Sequence, residues 1–336
     1  MSRSDHSCDP RRSSVVASIE PLEKRTHFSV VPGKLTLRFN DPVGGANGPS
    51  VSLSLKNTGT FAVKITGAAL SGTNASQFAI VTKPGGGVLP YTVSASLSTS
   101  MSLAFKPPAG STSTIRTATL TLTTNDLTKP TITVSLRGLA TAGIGGQLEP
   151  SLQRIFDLYS INSRTGDSNP ATTNLFSNTE VRGVNDEVTM QLLKKSGTAA
   201  VTIEPLAAFA GGSPAGIVGW YKSGTPGTKN KLLSVNGTSS QSVNVGYTGV
   251  TSFDPGTASF GLYSQYTNIN TTQYSQDSLN TVETTIKRKI RFFPLKQNGV
   301  LVANAYIFTT EDWNNDRTGG TDSNDFVGII RNVKLG

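Results

Sequence analysis

Residues 116–126 read RTATLTLTTND and are followed by TVSLRG at 133–138. Ala118, Leu120 and Leu122 alternate with Thr119, Thr121 and Thr123, and beyond the turn at Asn125-Asp126, Ile132, Val134 and Leu136 alternate with Thr133 and Ser135. A period of two puts each apolar set on one face of a strand, so the stretch predicts paired, half-buried β-strands. The same alternation lies upstream, in Val51, Leu53 and Leu55 against Ser52 and Ser54, and in Met101, Leu103 and Phe105 against Ser102 and Ala104. Turn chemistry separates the runs: NTG at 57–59, SG at 71–72, PGGG at 84–87 and PP at 107–108. Short strands at this spacing predict an all-β sandwich.

The whole chain has 336 residues, 36% of them hydrophobic and only 15% charged, against roughly 25% charge in an average globular protein. The length suits about two domains. Both histidines, His6 and His27, and the one cysteine, Cys8, fall in the first 27 residues. Everything downstream therefore lacks an imidazole base, a thiol nucleophile and a nitrogen or sulfur metal site, and no disulfide can form within the chain. Of the net charge of +9, residues 31–140 hold +7, from nine Lys/Arg and two Asp/Glu. These cations, from Lys34 to Arg137, stand singly, which reads as a solvated sandwich surface; a polyanion-binding module is a further alternative. No run approaches the roughly 20 apolar residues of a bilayer span, and VVA at 15–17 gives way at once to SIE, too short for a secretory core.

Four strings in order, VSLSLKNTGT (51–60), ITGAALSGTNASQFAI (65–80), MSLAFKPPAG (101–110) and RTATLTLTTND with TVSLRG (116–138), resemble the bacterial choice-of-anchor D module, which is similar to the ASH/Hydin immunoglobulin-like domains. The resemblance covers residues 33–140 and implies a non-catalytic spacer or docking domain. It departs from the pattern at residues 40–50, a loose Gly/Pro loop where a tight turn is usual. Ahead of it, RR at 11–12 and IEPLEKRTHFS at 19–29 resemble the LEPRxLLS-type tract of predicted bacterial surface proteins, with departures at Lys24, Thr26 and His27. That likeness implies a cell-surface or secreted location, where composition alone reads as cytoplasmic. The expected organisation is a disordered, targeting-like tail at 1–32, the immunoglobulin-like domain at 33–140, a linker at 141–148 and a second, jelly-roll-like β-sandwich at 149–336.

In that second part, Ser151 is the expected N-cap of a single short helix carrying Leu152, Ile155, Phe156 and Tyr159 on one stripe. After a polar loop at 162–179, strands are expected at 201–203, 217–221, 231–235, 243–247, 260–263, 290–293, 305–308 and 326–330. Three strings, FDPGTASFGLYSQY (253–266), IRFFPLKQNGVLVANAYIFTTEDW (290–313) and SNDFVGIIRNVKL (323–335), resemble the ends of large secreted bacterial proteins, where such sandwiches neighbour adhesion or carbohydrate modules.

The remaining chemistry gathers in EDWNNDRTGGTDSND at 311–325, with five acids and three asparagines. Asp312, Asn314, Asp316, Asp322 and Asp325 offer hard oxygen ligands of the kind calcium takes in sets of six to eight. Asp312, Asn314 and Asp316 have the 1, 3, 5 spacing of an EF-type loop, but Arg317 and Ser323 replace its Gly and Glu. A polar hairpin whose Asp and Asn side chains satisfy turn amides explains the same residues, so calcium and turn stand as two open readings. Trp313, within this loop, is the expected ligand-contacting ring; most of Trp220, Tyr221, Tyr247, Tyr263, Tyr266, Tyr274 and Tyr306 are expected in the core. The leading expectation is a non-catalytic surface or exported protein acting in adhesion, display or glycan contact, with a cell-surface glycan or another surface protein as partner, and no nucleic acid. The alternative is a carbohydrate-active hydrolase using two carboxylates among Glu204, Glu283, Glu311, Asp254, Asp186 and Glu187. The densest basic run, KRKIR at 287–291, would split between the faces of a strand.

Overall fold

The computed structural model describes residues 29–44, 48–110, 114–143, 145, 148–166, 185–210, 216–237, 241–266, 270–282, 287–312 and 323–336. In its first part the strands are β1 (Val30–Pro32), β2 (Thr36–Pro42), β3 (Val51–Asn57), β4 (Val63–Ser71), β5 (Phe78–Thr82), β6 (Tyr91–Val93), β7 (Ser98–Phe105), β8 (Ile115–Thr124) and β9 (Thr131–Thr141). They form two sheets, β1-β3-β7-β5 and β2-β9-β8-β4-β6. Read as successive strands A to G, this is the A-B-E-D against G-F-C arrangement of an immunoglobulin-like sandwich. The first strand is split: β1 pairs antiparallel with β3, then the chain crosses at Gly33 and β2 runs parallel to β9 from Thr36↔Ser135 to Pro42↔Thr141. The first sandwich thus begins at Val30, ahead of the boundary at residue 33 read from the sequence.

The alternating rows point inward as their period requires. Leu53, Leu55, Met101, Leu103, Leu120, Leu122, Val134 and Leu136 are at most 1% exposed and form one core with Phe39, Phe78 and Phe105. Gly138 on β9 lets the Phe105 ring close over the sheet, because a Cβ there would lie 2.5 Å from the ring.

A helix, α1 (Leu152–Leu158), follows; Ser151 caps it, accepting from the Arg154 amide at 3.3 Å, and Leu152, Ile155, Phe156 and Leu158 are buried, as the spacing predicts. The strands after it are β10 (Leu193–Lys195), β11 (Val201–Phe209), β12 (Ile217–Lys222), β13 (Lys229–Val235), β14 (Gln241–Ser242), β15 (Tyr247–Gly249) and β16 (Ser252–Phe253). The last six are β17 (Phe260–Tyr266), β18 (Thr271–Tyr274), β19 (Ile290–Gln297), β20 (Val300–Thr310), β21 (Phe326–Arg331) and β22 (Val333–Leu335). One sheet runs β15-β13-β12-β17-β10-β22, with β18 beside β17; the other runs β14-β11-β21-β20-β19, with β16 beside β11. Among the described residues the protein is therefore all-β with one short α-helix, its second half a jelly-roll-like sandwich closed by distant neighbours such as β10 with β22 and β11 with β21. Of the strand expected at 243–247 only its last residue, Tyr247, is in a strand, as the start of β15. Val243 N donates to Asn40 Oδ1 and Asn244 Nδ2 to the Arg38 carbonyl, so contacts with the first sandwich override the local apolar pattern.

Those contacts belong to a continuous junction. Asn40 Nδ2 also donates to the Gln241 carbonyl at 3.0 Å, so one side-chain amide acts as a peptide group bridging β2 to β14. Arg137 donates through Nε and a terminal nitrogen to the Leu158 and Asp157 carbonyls at 2.8 and 2.7 Å, closing the C-terminal end of α1. The guanidinium of Arg38 lies 4.3 Å above the Tyr159 ring. Leu139 of β9 packs with Leu152, Ile155, Phe156, Phe209 and Phe293, so α1 sits in an apolar cluster shared by both sandwiches.

Candidate functional site

The hairpin of β20 and β21 builds the site. Register Thr310↔Phe326 ends the ladder, so Glu311 and Asp312, leaving β20, meet Ser323, Asn324 and Asp325, approaching β21. Ladder geometry rather than chance proximity therefore concentrates the acids. Glu311, Asp312 and Asp325 are 4%, 7% and 4% exposed, and one carboxylate oxygen from each lies within 4.8 Å of the others. Two backbone amides turn into the cluster: Asp312 N donates to Asp325 Oδ2 at 2.6 Å, and Ser323 N to Glu311 Oε2 at 3.2 Å. Asn324 is fully buried, its Nδ2 donating to the Pro150 carbonyl at 2.9 Å. Below, Tyr266 OH and Thr310 Oγ1 share a 2.5 Å hydrogen bond. Burial, together with the negative charge of Asp325 and its two acidic neighbours, holds the Tyr266 phenol well above its ordinary pKa.

Of the residues singled out in the loop, Asp312 and Asp325 come together here, while Trp313, Asn314, Asp316 and Asp322 lie outside the described residues. Glu311, absent from the expected ligand set, joins the cluster. Its signal was the hairpin itself, since a residue one beyond the last ladder pair faces its counterpart across the strand. Oxygen donors alone, buried and crowded, suit a hard cation; the three carboxylates supply part of the six to eight oxygens calcium takes.

The other carboxylates face cations. Glu204 pairs with Arg331 at 3.3 Å, Asp254 with Lys195 at 2.8 Å and Asp186 with Lys296 at 2.6 Å, while Glu283 lies outside the described residues. Glu187 is held by Arg291 at 2.8 Å and Arg288 at 3.2 Å, and Arg288 also reaches Asp277 at 3.0 Å. The run KRKIR at 287–291 is thus largely internal: Lys289 and Arg291 are each 1% exposed. Their charge is spent inside the second sandwich rather than displayed on a strand surface.

Tyr221, Tyr263 and Tyr266 are buried, and Trp220 stacks on Phe253 at 5.4 Å between ring centroids. Tyr247, at the start of β15, is the exception, with 40% of its surface exposed.

No family model and no curated protein matches the chain. Among solved structures, a Porphyromonas gingivalis protein of unknown function is 12% identical over 36% of this chain, with a TM-score of 0.27; the chain spans 51% of that protein's length. An ASH/PapD-like domain of human CEP192 is 17% identical, covers 39% of this chain and 99% of its own, and has a TM-score of 0.25. The CupB2 chaperone of Pseudomonas aeruginosa is 9% identical, covers 73% of this chain and 97% of its own, and has a TM-score of 0.26. The immunoglobulin-like assignment of the first half stands on its own strand order.

Proposed function

We propose that this chain is a non-catalytic surface or exported protein acting in adhesion, display or glycan contact. In this reading residues 33–140, on their resemblance to choice-of-anchor D modules, serve as a spacer or docking unit, and the second sandwich, together with its junction to the first, meets the partner. The observation that carries it is the fixed seating of one sandwich on the other by Asn40, Arg38, Arg137 and the shared cluster around α1, which makes a stiff body able to hold a contact face at a set distance. The cation-paired state of Glu204, Asp254, Asp186 and Glu187 supports a structural use of these carboxylates over the acid and nucleophile roles of a hydrolase. The purified chain, applied to a glycan array and to a panel of polysaccharides, should bind without releasing product. Turnover that Glu311→Gln or Glu204→Gln abolishes would replace this reading with the hydrolase.

The buried trio of Glu311, Asp312 and Asp325 favours a calcium-stabilised loop in addition. Three carboxylates at this spacing repel one another unless a cation or protons offset them. Calcium should raise the apparent stability by about 2.7 kcal/mol at a hundredfold excess over Kd, and Asp312→Asn with Asp325→Asn should remove the effect. An unchanged melting temperature between chelator and about 10 mM calcium, beyond the range of extracellular modules, would leave the cluster as a polar hairpin.

A further inference from the structure

Between the sandwiches, beside the Asn40 bridge, lies a cleft of about 740 Å³, within the size range of small-molecule sites. Lys34 and Arg38 come from the first sandwich, Glu204, Asn244 and Tyr247 from the second, and Tyr159 closes the floor. The charges do not cancel. Arg38 makes no ion pair among the described residues, although Glu204 attracts it across the cleft; its direct contacts are the Tyr159 ring and a long 3.4 Å bond from Nε to the Leu158 carbonyl, which leave the fork of terminal N–H groups open. Lys34 likewise makes no ion pair among the described residues, and Glu204 on the opposite wall is engaged by Arg331. Arg137, next to Arg38, spends its donors on the helix carbonyls and adds a second positive charge behind the first.

We propose that this cleft binds an acidic saccharide, with the carboxylate or sulfate of one sugar on Arg38 and Lys34 and the apolar face of a neighbouring sugar on Tyr247. The inference rests on the glycan-contact reading and deepens it. A forked guanidinium matches a carboxylate or sulfate two oxygens at a time. An exposed tyrosine at the rim offers the flat apolar surface that a pyranose presents on its other side. Asn244, whose Nδ2 is held by the Arg38 carbonyl, keeps its amide oxygen for a hydroxyl. An extended peptide fits less well, since it would add to the free edge of β2, and that edge is already occupied by the Asn40 and Asn244 side chains.

The full chain would be titrated calorimetrically with a short oligogalacturonate, a sulfated oligosaccharide, a neutral oligogalactoside and an acidic peptide of equal charge. At least one acidic saccharide should bind about tenfold or more tighter than the neutral one, a gap of about 1.4 kcal/mol, and its affinity should fall with added salt. Tyr247→Ala and Lys34→Ala, both at exposed positions, should each weaken binding several-fold without moving the melting temperature, and Arg38→Lys should weaken it while keeping the charge. Binding that survives both exposed substitutions would overturn the site while leaving glycan contact standing. Equal affinity for the neutral sugar or the peptide would overturn the ligand class. Failure of every saccharide here, with glycan binding seen on the array, would overturn only the cleft; failure on both would remove the broader reading as well.

Discussion

Arg291 is among the largest fully buried side chains of the molecule, and its charge is met by Glu187 at 2.8 Å. A buried pair of this kind barely offsets its own desolvation, but removing one partner leaves the other's charge less well compensated in the interior. Glu187→Gln should cost about 3–5 kcal/mol in urea unfolding, and combining it with Arg291→Met should recover part of that loss. A cost below about 1 kcal/mol would mean that solvent or another group screens Arg291. Asp41, on β2, behaves differently: it is 5% exposed, no hydrogen bond from the described residues reaches its Oδ2, and burial pushes its carboxyl up to about 6, with the Gly48 amide offsetting part of the effect. Between about pH 4 and 6 the native state then keeps a proton that the unfolded chain releases, so stability falls as pH rises through that window and stays lower above it. Asp41→Asn should flatten this slope, read as the difference between urea midpoints at about pH 4.5 and 7.5; an unchanged slope would assign the pH dependence to other groups.

Elements with a strong inward row were legible in the sequence. The runs at 51–55, 101–105, 118–122 and 132–136 all became strands because an unbroken period of two admits one face for burial. α1 was legible for the same reason, with Ser151 as its cap. Replacing Ser151 by Ala should cost about 1 kcal/mol, and because α1 packs under Leu139 the loss should appear in global unfolding rather than as local fraying. Exchange protection lost only within residues 152–158 would contradict this. Strands β10, β18 and β22 escaped the reading: LKK, TTQY and VKL are too short and too polar to show a period; β10 and β18 form on the longer β17, and β22 in turn pairs with β10. The candidate site was half legible. Composition marked Asp312 and Asp325, but the approach of Glu311 depends on hairpin register, and the inward turn of Arg291 depends on a carboxylate 104 residues away.

At the scale of the whole molecule, the junction decides whether the two halves unfold together. Arg137 makes two charge-assisted bonds to the end of α1, and their loss should remove on the order of 2–4 kcal/mol of coupling. The intact chain is expected to show one calorimetric transition and Arg137→Ala two; two transitions in the unaltered chain would mean that the halves are thermodynamically independent. The parallel pairing of β2 with β9 has a further consequence, in mechanics. Tension that enters ahead of β2 and leaves after β9 pulls these strands along their length in opposite directions, so all seven register pairs from Thr36↔Ser135 to Pro42↔Thr141 are loaded in shear at once instead of opening one after another. Forced unfolding is governed by the unfolding rate, and under a pull of this direction the first sandwich would act as the stiff link through which load reaches the second.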